Sequence, residues 1–128
     1  MISFDDFSNL LNGVWVRVKA DNVSTPQCFD LAQLYSRAIG GQPFTGATAD
    51  LIYNQTQNGF YQQIPNTPDD IPQKGDIVVW NWPHVGVATG NNTDVWHLEV
   101  LEQNDPDGAE TQIKQYTYDG VIGWLRKN

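Results

Sequence analysis

The strongest constraint on the fold is a change in apolar spacing along the chain. Cys28, Leu31, Ala32, Tyr35 and Ala38 share one face of a helix, flanked by Leu34 and Ile39. Gly40-Gly41 stops that helix. An earlier helix is read from Phe4, Phe7, Leu10 and Leu11, with Ser3 as cap, Asp6 at the capping-box position and Asn12-Gly13 at its end. Residues 14–18 alternate weakly and read as extended, 19–27 as loop. Thr48 to Gln57 reads as a shorter helix. Ile64 to Lys74, with Pro65, Pro68 and Pro72, reads as a surface connection. From there the spacing is that of short strands: Asp76–Trp80, Val85–Thr89 and Val95–Gln103, with a turn at 90–94. Tyr116-Thr117-Tyr118 and Val121–Leu125 add one or two more, joined near Asp119-Gly120. Helices first and strands after predict one α+β domain over residues 1–128, its N-terminal helices packed on a C-terminal antiparallel β-sheet.

Composition removes several function classes. A chain of 128 residues buries enough surface to fold without a staple, and its one cysteine cannot form an internal disulfide. The net charge of −8 lacks the basic footprint of a nucleic-acid binder. One Cys and two isolated His do not make a zinc spacing. Met1-Ile2-Ser3-Phe4-Asp5-Asp6 has neither the basic n-region nor the apolar h-segment of a signal peptide, and no run is long enough for membrane insertion.

The remaining chemistry centres on Cys28. A lone cysteine is most often a small buried apolar group. This one lies in the first turn of a helix, where the dipole and free N–H groups favour the thiolate. A nucleophilic thiol needs an imidazole to take its proton. His84 starts a strand directly after Trp80-Asn81-Trp82-Pro83, whereas His97 reads as a half-exposed strand residue. The ring in turn needs an acceptor. Glu102 and Asn104, two apart in an extended chain, share a face that His97 does not, and an adjacent antiparallel strand brings them towards His84. Taken alone, Glu102 reads as a solvent-facing carboxylate. Asp69-Asp70 and Asp105-Pro106-Asp107 read as ordinary loop acids.

Five blocks, in order, carry a resemblance. They are Gln27-Cys28-Phe29-Asp30-Leu31, Pro72-Gln73-Lys74-Gly75-Asp76-Ile77-Val78-Val79-Trp80, His84-Val85-Gly86-Val87-Ala88, Leu101-Glu102-Gln103-Asn104 and Tyr118-Asp119-Gly120-Val121-Ile122-Gly123-Trp124. Together they resemble the CHAP family of cysteine- and histidine-dependent amidohydrolases/peptidases, within the papain-like superfamily. The resemblance implies a papain-like α+β fold and a phage endolysin-like peptidoglycan hydrolase, either an N-acetylmuramoyl-L-alanine amidase or an endopeptidase. It implies Cys28 as nucleophile, His84 as base and acid, Glu102 as the group that orients the ring, and Asn104 in support. Gln27 and the Cys28 N–H are candidate oxyanion donors, and Trp82 is a candidate for stacking on substrate. It also implies a monomer acting on bacterial peptidoglycan, phage-encoded and host-cytoplasmic until released to the wall, or acting extracellularly there.

Two departures stand out. Pro83 occupies the position before the histidine where members often have Gly, which pushes Trp82 into an extended conformation. The positions that carry calcium-binding acids in some members hold Lys19, Asp21 and Asp30 here. No cofactor is required by the chemistry. Asp21 and Asp30 are the candidate Ca²⁺ ligands, and Lys19 is read as standing in for the ion.

Two other classes stay open on sequence: a non-catalytic wall-binding module on the same fold, and a wall glycosidase using Glu99 or Glu102 with an Asp. Bacterial walls are largely anionic, so a chain of net charge −8 is repelled from them when salt is low. Lysis by this chain is therefore expected to rise between low and moderate ionic strength in a turbidity assay. A rate that only falls over that range contradicts the expectation.

Overall fold

The computed structural model describes residues 2–14, 28–46, 48–103, 105 and 109–128. Helix α1 spans Phe4–Leu11 and α2 spans Cys28–Ala38. A short 3-10 helix covers Ala49–Asn54. Strands follow at β1 (Tyr61–Pro65), β2 (Ile77–Trp80), β3 (His84–Ala88), β4 (His97–Glu102), β5 (Gln112–Thr117) and β6 (Val121–Lys127). They form one six-stranded sheet in the order β1-β6-β2-β3-β4-β5, with every neighbouring pair antiparallel. The expected α+β architecture is the one observed.

Both helices end where their residues dictate. The Ser3 side chain accepts the Asp6 N–H at 3.1 Å, the bond that the cap position calls for. Phe4 and Phe7 are buried, while Leu10 faces solvent. At the end of α2, Gly40 adopts φ +98°, and the Gly40 and Gly41 amides return to the Arg37 and Ser36 carbonyls. That is a Schellman stop, which needs a residue tolerant of the left-handed region.

The sheet is covered on both faces. One face packs Ile77, Val79, Val85, Val87, Leu101 and Leu125 against Phe4, Phe7, Leu31, Ala32, Tyr35 and Ile52 from the helical layer. The other face holds Val78, Trp80, Ala88, Leu98, Val100, Val121 and Trp124, with Ile64, Tyr116 and Tyr118 against them. This second cluster is made wholly of strand and turn residues. The central strands β2 and β3 are consequently buried at every position. Burying each large apolar side chain contributes roughly 2 kcal/mol, so this two-sided core is what holds the strand carrying His84.

Four expectations need correction. The helix expected at 48–57 is a 3-10 helix of six residues, and the chain beyond it bends through left-handed Gln57, Asn58 and Gly59. The connection expected from Ile64 begins inside a strand, β1, that pairs with β6. β5 starts at Gln112 rather than near Tyr116. β4 starts at His97 rather than Val95, because the Asp94 carboxylate takes the Trp96 and His97 N–H groups at 2.8 Å each. The readings of 15–27 lie outside the described residues.

At Gly123 on β6 an added Cβ would stand 2.3 Å from the Ile64 carbonyl oxygen and 2.7 Å from the Tyr53 ring, so only glycine lets β1 and the 3-10 segment lie this close. The start of β2 and the end of β6 are tied by a half-buried ion pair whose carboxylate is the buried partner. Arg126 Nη2 donates to Asp76 Oδ2 at 2.8 Å, and its Nε to Oδ1 at 3.1 Å. Asp76 is only 2% exposed, so removing the arginine strands a buried charge. Arg126→Ala is expected to cost about 3 kcal/mol in urea unfolding. A loss below roughly 1 kcal/mol, the range of an exposed pair, would contradict this.

Candidate active site

Cys28 is the first residue of α2, half-buried and packed against the helical core. Its own N–H belongs to the first turn, where helix amides have no intrahelical acceptor. His84 is the first residue of β3, only 2% exposed. Cys28 stands close enough to the His84 ring to favour its charged form. The ring's Nε2 meets Glu102 Oε1 at 3.2 Å, which leaves Nδ1 as the nitrogen for the thiol. Glu102 is fully buried at the end of β4. The β3/β4 register pairs Val87 with Leu101 and Ala88 with Val100, so His84 and Glu102 fall on the same face. His97 and Glu102 stand at opposite ends of β4, and His97 is exposed.

Three aromatic rings wall the imidazole. Trp82 stacks on it with centroids 4.8 Å apart and planes 6° from parallel. Trp80 lies at 5.2 Å and Tyr116 at 6.0 Å. Gly120, at φ +80° in the β5–β6 turn, makes room for the stack: a Cβ there would stand 2.7 Å from Trp82 Cδ1. Trp82 remains 46% exposed, so the ring that covers the histidine is also partly open to solvent.

Burial acts to strip the proton from His84, but the bonds to Cys28 and Glu102 and their charges outweigh it. The net effect lifts its pKa from 6.5 to about 9. The sign for stability follows directly. This group's contribution is complete below about pH 6.5 and is lost as pH rises through about 9.

Two further groups belong to the site. The Tyr116 hydroxyl reaches both Glu102 Oε1 and, at 2.5 Å, Asp105 Oδ2. Asp105 was read from sequence as an ordinary loop acid. It is instead partly buried, with a ligand oxygen in a group whose His84, Glu102 and Asp105 atoms all lie within 4.8 Å of one another. Those donors are taken up by each other, by Tyr116 and by the Lys114 ammonium, 3.2 Å from Asp105 Oδ2. The Lys114 ammonium offsets the charge of Asp105. Tyr116 gave no catalytic signal in the sequence, because its role depends on a cross-sheet contact fourteen residues from Glu102.

Glu99 is fixed elsewhere. It accepts from Thr89 Oγ1 at 2.8 Å and from Asn92 Nδ2 at 2.7 Å. Burial raises its pKa, but the bonds from Asn92, Thr89 and Gln115 bring it below the ordinary value. A glycosidase acid needs the opposite shift. Strand alternation also sends Glu99 and Glu102 to opposite faces, so they do not flank one bond.

Gln27, Asn104, Lys19 and Asp21 lie outside the described residues. Asp30 is fully buried in the first turn of α2. Asp30 is the one candidate calcium ligand among the described residues, and calcium takes six to eight oxygens.

The charge of Glu102 is one support of the raised His84 pKa. Glu102→Gln is thus expected to move the alkaline limb of activity to lower pH, because the ring loses its proton earlier. An unchanged limb in a folded Glu102→Gln protein would contradict this assignment.

The fold and sequence have relatives. The chain aligns over its whole length with a wild-type endolysin, LysIME-EF1, at a TM-score of 0.82 and 24% identity, covering 99% of this chain and 65% of that one. It aligns with Ly7917 at 0.69 and 19%, covering 98% and 62%. It also aligns with a structure of Ly7917 with the hydrolyzing product of MDP at 0.60 and 18%, covering 79% and 53%. The chain therefore spans less than two-thirds of each of those chains. A search of curated protein sequences gave no match. The model of the CHAP domain family matches residues 18–104, a stretch that contains Cys28, His84 and Glu102, and the chain belongs to that family.

Proposed function

We propose that residues 1–128 form one catalytic unit that hydrolyses an amide bond of bacterial peptidoglycan. The observation that carries this reading is the line from Cys28 through the buried His84 ring to the buried Glu102. A thiol, an imidazole and a carboxylate in that order are the parts of nucleophilic acyl transfer. The CHAP family and the endolysin fold neighbours support the wall as substrate.

In the first half-reaction His84 already carries its proton, and the Cys28 sulfur attacks the amide carbonyl carbon as the thiolate. The oxyanion forms at the head of α2, where the Cys28 N–H is available and Gln27 is the neighbouring candidate donor. His84 then gives its proton to the nitrogen, the C–N bond breaks and the amine leaves, with a thioester on Cys28. Water attacks the thioester, His84 takes its proton, and the acid leaves as the thiolate re-forms beside the charged ring. Glu102 holds the ring in orientation throughout and stabilises its charged form. Asn104 is assigned a supporting part. Trp82, stacked on His84 and partly exposed, is assigned to substrate stacking.

No step of this sequence uses a cofactor. The protein is proposed to act as a monomer at the cell wall after release from a phage-infected host, or from outside the cell. No helix among the described residues is long and apolar enough to cross a membrane.

Cys28→Ala and His84→Ala are each expected to abolish wall lysis, with a loss of at least about 10³-fold, while keeping the wild-type circular dichroism spectrum. Mass spectrometry of the released fragments separates amidase from endopeptidase by the new amine formed. Lysis by Cys28→Ala at the wild-type rate would overturn the reading. Wall binding with no new amines would instead favour a binding module.

A further inference from the structure

The side of β5 that faces the site has one shared task. Gln112, Lys114 and Tyr116 alternate with exposed residues along this edge strand, so all three point inwards. All three hold Asp105. Gln112 Nε2 donates to the Asp105 carbonyl at 2.8 Å, Lys114 Nζ to its Oδ2 at 3.2 Å, and Tyr116 reaches that oxygen at 2.5 Å. Three successive side chains are more than an ordinary loop acid needs. The same phenol also reaches Glu102 Oε1, the oxygen that receives His84 Nε2. Glu102 Oε2 has no hydrogen-bond partner among the described residues, so Oε1 carries both contacts that orient this carboxylate.

We propose that Asp105 is a second positioning carboxylate of the His84 site, clamped by β5 and joined to Glu102 through the Tyr116 hydroxyl. The reaction in which it acts is the one proposed above; its effect on the ring is independent of that reading. Two carboxylates this close repel each other and tend to take up a proton. The phenol hydrogen between them and the Lys114 ammonium offset that repulsion. Burial and both carboxylates drive the Tyr116 pKa far up, so it keeps its proton as a donor. Burial raises the Asp105 pKa, but the bonds from Tyr116 and Lys114 and the charges of Lys114 and His84 bring it below the ordinary value. Asp105 therefore stays charged, and its charge and that of His84 attract each other.

The groups facing His84 can be named from each element: Cys28 from α2, Glu102 from β4, Asp105 after it, and Tyr116 from β5 with Lys114 behind. Trp80 and Trp82 complete the wall and do not titrate. Removing the Asp105 charge must then lower the affinity of the ring for its proton.

The test is an NMR titration of the two histidine rings in the full chain. His97, on the exposed end of β4, is the internal control. Asp105→Asn keeps the shape and an acceptor oxygen but removes the charge. It is expected to shift the His84 midpoint downward by on the order of one pH unit, about a tenfold loss of charged ring above the midpoint. Tyr116→Phe removes the bridging donor, so the carboxylate pair takes up a proton and the midpoint falls as well. A His84 midpoint equal to wild type in folded Asp105→Asn overturns the proposal. If that variant does not fold, an unmoved midpoint in Tyr116→Phe overturns it. A shifted midpoint with Cys28→Ala still lytic would leave this assignment standing and remove the nucleophile.

Discussion

The hydrogen bond between His84 Nε2 and Glu102 Oε1 is the contact on which the rest of the site depends. Both partners are out of water, at 2% and 0% exposure. A buried imidazole left alone loses its proton, and a buried carboxylate left alone gains one. The ring keeps its charge because Cys28 and Glu102 are there, and together they raise its pKa to about 9 against the pull of burial. Around it the protein places few alternatives: Trp82 covers one side of the ring, and Trp80 and Tyr116 close the others.

The fold produces this contact by filling both sides of its sheet. Helical residues cover one face, and strand and turn aromatics fill the other. The inner strands are therefore fixed in register by their own burial, since a slip of one residue would exchange the two faces. A short turn at 81–83 ends in His84 at the head of β3, and β4 returns Glu102 alongside. Cys28 comes from the other layer, at the start of α2. The site thus lies where a helix start and a strand start meet, and its parts are positioned by elements rather than by a flexible loop.

Much of this was legible in the sequence, and what was not has a common cause. The inner strands β2, β3 and β6 are rich in Val, Ile, Leu and Trp, and their runs are visible without a structure. The two poorly read strands, β1 and β5, are the edges of the sheet. Their sequences, Tyr-Gln-Gln-Ile-Pro and Gln-Ile-Lys-Gln-Tyr-Thr, bury about every second residue or fewer, so apolar patterning is weak there. Pro65 is tolerated because it lies at an edge. The same reason hid Asp105 and Tyr116. A Cys, a His and a Glu in a familiar order announce a chemistry, and strand parity was enough to separate His84 from His97. A tyrosine and a loop aspartate announce nothing until an edge strand folds them against the ring.

The central claim is that Cys28 forms the bond to substrate, and intact-protein mass spectrometry after an acid quench tests it most directly. Wild-type protein digesting purified walls should carry a wall-derived acyl group, localised to Cys28 by peptide mapping and released by hydroxylamine as a thioester would be. Ongoing release of wall amines with Cys28 unmodified at every time point, and equally fast release from protein alkylated at Cys28, would contradict the account.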